Sequence, residues 1–247
     1  MTTACLLMVP VLGLAAAPQE PRKELMVRKI SIADGTSSLD AVAQAFDREN
    51  IPSHPIACSW EMFPYRPDVK FRIAYDNTSV YLQYQVHENY LLAKCDLNDD
   101  TCWPSNDSCV EFFVSPTSDN HYINFEFSCI GYCLIQTGER DPENPQPPME
   151  RTRLPLEATK QVKRESTLGN QTFEHREGDF SWTLTVAIPL SLITEQDGAA
   201  LRGKTWKANF YKCGDELKEK AYLTWSPVNM PFPTFHQPQE FGTIAFE

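Results

Sequence analysis

The stretch Cys102–Pro116, CWPSNDSCVEFFVSP, decides how this chain is read. Its first half is a polar turn that raises Trp103 beside Pro104. Its second half is a strand of period two. Val110, Phe112 and Val114 fall on one face, while Cys109, Glu111 and Phe113 fall on the other. Side chains of a strand alternate between the faces of its sheet, so a carboxylate inside an apolar run belongs to the opposite face.

The same alternation recurs along the chain. It predicts strands at Leu25–Ile32, Val69–Tyr75, Val80–Glu88, Ser108–Val114 and His121–Ile135. Further strands are expected at Ala158–Ser166, Ser181–Ile188, Thr205–Cys213 and the C-terminal FGTIAFE. These runs are rich in β-branched and aromatic residues, and Asn, Asp, Pro and Gly punctuate them. The turn Asp76–Ser79 reads as a hairpin. One helix is expected near residues 38–50, with Ser38 as N-cap and Leu39, Val42, Ala43 and Phe46 on its apolar side, covering one end of the fold. Short strands without a βαβ rhythm imply an all-β protein, an antiparallel β-sandwich or jelly roll.

The 247 residues include 22 Lys and Arg against 33 Asp and Glu, a formal charge of −11. Nucleic acids and anionic membranes require a basic surface, so both are excluded as expected partners. The apolar run from Cys5 to Ala17 is too short to span a bilayer and ends in Ala15, Ala16 and Ala17. It is read as an export leader, residues 1–17, ahead of a single domain at 18–247. No other segment has the apolar character of a membrane span. The DPENPQPP stretch (141–148) reads as a surface loop.

Eight cysteines carry no zinc or haem-attachment spacing. Cys129 and Cys133 fall in one predicted strand, roughly 13 Å apart and out of bridging range. Cys95 and Cys102 flank the acidic loop CDLNDDTC and are placed to close it; the other reading is that most cysteines are small buried apolar residues.

Alternation also gives Asn124 and Glu126 one face of their strand, opposite Ile123, Phe125 and Phe127. Arg72 opposes Phe71 and Ile73, and Asn209 opposes Trp206, Ala208 and Phe210. If these polar faces share one concave sheet, Arg72, Glu111, Asn124, Glu126 and Asn209 form a floor of donors and acceptors for hydroxyl groups. The other reading is the solvated side of an antiparallel sheet.

WPSNDSCVEFFVSP, with RIAYDNTSVYLQYQVHE before it and NFEFSCIG after it, resembles the family 9 carbohydrate-binding modules. The C-terminal WKANFYKCGDE and YLTWSPVNMPFPTFHQPQEFGTIAFE carry the same resemblance, which covers roughly residues 34–247. It implies a DOMON-like β-sandwich that holds a terminal sugar between two aromatic planes. By that resemblance Trp103 is one aromatic, and Phe235 in PTFHQP is the second, with Phe232 as its substitute. Glu111, Asn124 and Glu126 would read hydroxyls, and Arg72 matches the arginine of its strand. The chain departs from the two-tryptophan form. A pyranose packs its C–H face on an aromatic ring, and its hydroxyls take charge-assisted partners.

The resulting expectation is non-catalytic binding of an oligosaccharide or polysaccharide beside glycoside hydrolases such as xylanases, in a secreted bacterial protein. One alternative is glycoside hydrolysis by Glu111 and Glu126 as an acid/base pair. Another is a haem domain with Met62, Met149 or Met230 paired with His87, His121 or His236. No cofactor is expected, apart from structural calcium at Asp96, Asp99 and Asp100, which lack EF-hand spacing.

Overall fold

The computed structural model describes residues 20–32, 39–117, 120–140 and 151–247. The leader, Ser38, Met149 and the proline-rich loop lie outside these residues. The described strands are β1 (Glu24–Lys29), β2 (His54–Pro55), β3 (Cys58–Ser59), β4 (Asp68–Tyr75), β5 (Ser79–Ala93), β6 (Cys109–Ser115) and β7 (His121–Ser128). They continue with β8 (Cys133–Glu139), β9 (Arg151–Arg153), β10 (Lys163–Ser166), β11 (Phe173–Pro189), β12 (Thr205–Cys213), β13 (Leu223–Thr224) and β14 (Gly242–Phe246). Two helices, α1 (Asp40–Arg48) and α2 (Leu156–Thr159), accompany them. None of the described helices is long and apolar enough to cross a membrane.

The strands form one curled sheet in the order β10-β11-β5-β4-β1-β14-β12-β6-β7-β8-β9. It folds on itself at β1 into a front layer (β14, β12, β6, β7, β8, β9) and a back layer (β4, β5, β11, β10). The architecture is the expected all-β sandwich, but the sheet is mixed. β1 runs parallel to both β14 and β4, and the other neighbouring strands pair antiparallel.

The predicted core faces meet between the layers. Phe71 and Ile73 of β4, and Tyr84 and Val86 of β5, pack against Val110, Phe112 and Val114 of β6 and Phe125 and Phe127 of β7. Phe71 stacks on Phe210 of β12 at 3.7 Å between centroids. Each such side chain contributes about 1.5–3 kcal/mol on full burial, so this interface dominates stability.

Four local expectations change. Helix α1 has Leu39 as its N-cap, without a side-chain cap bond. Its Val42, Ala45 and Phe46 lie on Ala74, Tyr81 and Ala187, outside the back layer rather than at its end. The predicted strand His121–Ile135 is two strands, β7 and β8, joined by a turn at residues 129–132. Gly131 adopts φ +86° there, a region that L side chains avoid. The turn carries Cys129, Ile130 and Tyr132, all buried, and Tyr132 and Leu134 pack on Cys95. A turn covered by neighbouring chain has no need of polar residues, so it read as a continuous strand. Cys129 and Cys133 thus flank a reversal and remain unbridged. Lastly, Ala158 belongs to α2, and β10 starts only at Lys163.

The hairpin at 76–79 forms as expected. The Asp76 carboxylate accepts bonds from the Thr78 and Ser79 amides at 2.8 Å, the side chain standing in for a backbone turn partner.

Candidate functional site

The second face of the front layer is covered at one end and open at the other. The segment 225–241 lies over the covered end. Asn209 ties it down: its Nδ2 donates to the Ser226 carbonyl at 3.0 Å and its Oδ1 accepts from the Ser226 amide at 2.9 Å. Tyr211 stacks on Phe235 at 4.2 Å and donates its hydroxyl to the Phe235 carbonyl. Phe113, Tyr122 and Phe241 complete this apolar patch.

Next to the patch is an open cavity of about 470 Å³. Its floor includes Glu111 of β6, Glu126 of β7 and Cys213 of β12. Trp103, Arg151, Phe63, Tyr222 and Phe235 are among its walls. Strand order sets the walls apart. Trp103 sits under Arg153 of β9, 4.8 Å from ring centroid to guanidinium. Tyr222 precedes β13 on the far side of β12, packed edge-on against Phe63 at 4.5 Å. The carboxyls of β6 and β7 lie between.

Trp103 is 45% exposed, although exposure of so large an apolar ring is unfavourable. Several bonds hold its loop. Cys95 and Cys102 form the disulfide that flanking spacing suggested. The buried Asp107 carboxylate accepts from the Lys94 amide at 2.9 Å and the Cys95 amide at 3.0 Å. Arg153 donates to the Cys102 carbonyl at 2.5 Å and to the Asp100 carbonyl. The ring is therefore preorganised, which lowers the entropy lost when a ligand settles on it.

Glu111 and Glu126 are direct cross-strand partners. Burial, and next the Glu126 charge beside it, hold the Glu111 carboxyl well above the ordinary carboxylate range. Burial also raises Glu126, to about 7, against the opposing pull of Arg151 and a hydrogen bond from Asn124. Two like charges this close in a desolvated floor disfavour double ionisation. The pair thus offers hydroxyl donors as well as acceptors at neutral pH.

Arg151 is oriented by His236. An arginine donates only, so His236 Nε2 accepts at 2.7 Å, and the ring proton sits on Nδ1, facing the Tyr122 oxygen at 2.9 Å. Desolvation, then Arg151 and Arg140, drive the His236 pKa down to about 3, which keeps the imidazole neutral.

The residues singled out in sequence divide into groups. Trp103, Glu111, Glu126 and Phe235 line the cavity, with Phe235 only 8% exposed. Asn124 lies under the floor, donating to Glu126 at 2.9 Å and Gln136 at 3.2 Å. Asn209 faces the same side but anchors the 225–241 segment. Phe232 is 65% exposed and does not line the cavity. Arg72 does not share this face: it sits on the outside of the back layer and pairs with Asp47 of α1 at 2.5 Å. Asp96 and Asp99 cap turns of their own loop, accepting from the Asn98 and Thr101 amides.

Phe63, Tyr222, Arg151 and Asp215 were not identified from sequence. A signal existed for Phe63. It sits beside Pro64 as Trp103 sits beside Pro104, and a proline next to an aromatic stiffens a loop platform. Tyr222 and Asp215 show no local signal; the Tyr222 hydroxyl donates to Asp215 at 2.7 Å, a contact made only by folding.

A carbohydrate-binding family 9 model matches residues 40–246. The chain belongs to carbohydrate-binding family 9. Among solved structures it is similar to a candidate carbohydrate-binding protein of Bacteroides uniformis ATCC 8492. The two share 38% identity over 92% of this chain and 100% of that one, with a TM-score of 0.82. Two structures of a family 9 module from Caldicellulosiruptor kristjanssonii share the fold at lower identity. One is a complex with cellotriose (12% identity, 91% of this chain and 94% of that one, TM-score 0.55). The other is a complex with glucose (13%, 91% and 96%, TM-score 0.51). No curated protein matches the chain at significance. The matched span contains every strand from β2 to β14, and so strands of both layers.

Proposed function

We propose that this family 9 protein is a non-catalytic binder of oligosaccharides or glycan chain ends, and that the sugar lies in the cavity between Trp103 and the Phe63–Tyr222 pair. The observation that carries this reading is the exposed, rigidly held Trp103 ring beside a floor of buried polar groups. An aromatic plane matches the C–H face of a pyranose, and paired carboxyls with an arginine match its hydroxyls. The neighbours bound to cellotriose and glucose support the same class of ligand.

Hydrolysis is the less supported reading. It requires one carboxyl to be ionised while the other is protonated, on either side of a scissile bond. Here the two carboxyls are direct cross-strand partners side by side on one floor, not placed on either side of a bond. A disulfide at the Trp103 loop supports an exported location, where such bonds persist. In that setting the protein would hold glycan close to degrading enzymes.

Calorimetric titration with soluble cello- and xylo-oligosaccharides tests the proposal. Binding is expected in the wild type and in R72A, because Arg72 lies on the opposite layer. Loss in W103A is expected. An absence of binding across a broad glycan array, or an unchanged affinity in W103A, overturns it.

A further inference from the structure

Cys109 of β6 and Cys213 of β12 are direct cross-strand partners, both free thiols and both buried. They differ from Cys129 and Cys133, which pack within the core between the layers. Cys109 and Cys213 lie on the opposite face, turned toward a carboxyl. The Cys213 sulfur is 2.9 Å from Glu111 Oε1, and the Cys109 sulfur is 3.9 Å from the same atom. All three donor atoms lie within 4.8 Å of one another.

We propose that Cys109, Cys213 and Glu111 form a binding site for a thiophilic divalent cation of the zinc class, built into the cavity floor. A tetrahedral zinc with sulfur bonds near 2.3 Å and an oxygen bond near 2.0 Å sets its donors about 3.5–3.8 Å apart. The three side chains here bracket that spacing and need only small rotamer adjustments. Two sulfurs with one carboxylate select zinc or cadmium over calcium or magnesium, which take oxygen sets.

Access also fits. Cys213 and Glu111 line the cavity, so a cation enters from solvent, and the fourth position faces the open space for a water or ligand oxygen. Coordination takes both sulfurs as thiolates and Glu111 as its carboxylate. The cation and its three donors then carry a net charge of −1, with the Arg151 guanidinium and the Glu126 and Asp215 carboxyls lining the same cavity. The site shares Glu111 and the cavity with the proposed sugar floor, but the metal titration is run without sugar, so its failure and the failure of the sugar reading are distinguishable.

The experiment is a cadmium titration of reduced, chelator-stripped protein under argon, without sugar, followed by sulfur-to-cadmium charge-transfer absorbance. One cadmium per chain is expected, displaced by zinc. C109S and C213S are each expected to weaken binding about 100-fold or more and to reduce the band, with circular dichroism confirming the fold. C58S, a thiol distant from the cluster, is expected to bind as the wild type. No band in excess cadmium overturns the proposal, as does a band undiminished in C213S or one lost in C58S. Finding these two thiols oxidised to a disulfide in the purified protein also overturns it.

Discussion

Glu111 and Glu126 face each other across the β6–β7 ladder, buried to 2% and 4% exposure, and among the described residues neither forms an ion pair. Their folded-state pKa values lie above the unfolded ones, so the native state retains protons that the unfolded chain has released. Their stabilising contribution is complete below about pH 4.5, the ordinary value, and is lost as pH rises toward the folded value, about 7 for Glu126. His236 acts in the opposite sense, since its pKa is lowered and its contribution falls as pH drops below 6.5. A difference between variants separates the two. Relative to wild type, E126Q should gain stability between pH 4.5 and 7, by up to about 1.4 kcal/mol per pH unit. Denaturant unfolding at a series of pH values checks this; a pH-independent difference would count against a raised Glu126.

Arg153 holds the Trp103 ring and two carbonyls of its loop. Removing a cation–π contact of this exposure loses about 0.5–1 kcal/mol. R153A should therefore weaken oligosaccharide binding about two- to fivefold while W103A abolishes it. Titration of both variants against one oligosaccharide decides the order; equal losses would place Arg153 in direct contact with the ligand.

The Cys95–Cys102 bridge closes a loop with a separation of 7 residues. A loop of this size restrains the unfolded chain by about 2–3 kcal/mol. C95A/C102A should show that drop in chemical denaturation, together with weaker ligand binding, because the platform loop loses a tether. Unchanged binding alongside reduced stability would show that Arg153 and Asp107 position Trp103 unaided.

Lys212 and Glu88 form an ion pair at 2.9 Å with no side-chain exposure. The Trp182 indole donates to the second Glu88 oxygen at 2.8 Å. Breaking a buried pair from one side strands the other charge, at about 3–5 kcal/mol. K212M should lose that much in urea unfolding, and E88L/K212M should recover a large part of it. A double variant no better than K212M would mean that the Trp182 bond, not the stranded charge, accounts for the loss.

The period-two pattern was legible because it depends on each strand alone. It placed Val110 and Phe112 in the core and Glu111 opposite, and it grouped Glu111 with Glu126. The acidic loop between Cys95 and Cys102 was equally legible, since closure there is local. The 129–132 turn was not, because its covering against the disulfide loop removed the polar residues that mark exposed turns. Lys212 follows the same logic: alternation puts it on the core face of β12, and only the long-range partner Glu88 explains a lysine there.

Sequence by itself determined which side of its own strand each residue occupies, and through the motifs it determined the family. Tertiary structure decided which faces meet. Arg72 and Glu111 both oppose core residues, yet β4 pairs into the back layer and β6 into the front, so they lie on opposite sides of the molecule. Phe63, Tyr222 and Arg151 reach the Trp103 cavity from segments far apart in the chain. Alternation is a property of a single strand's pleat, whereas strand order follows from pairing between distant segments, and only that pairing assembles the cavity.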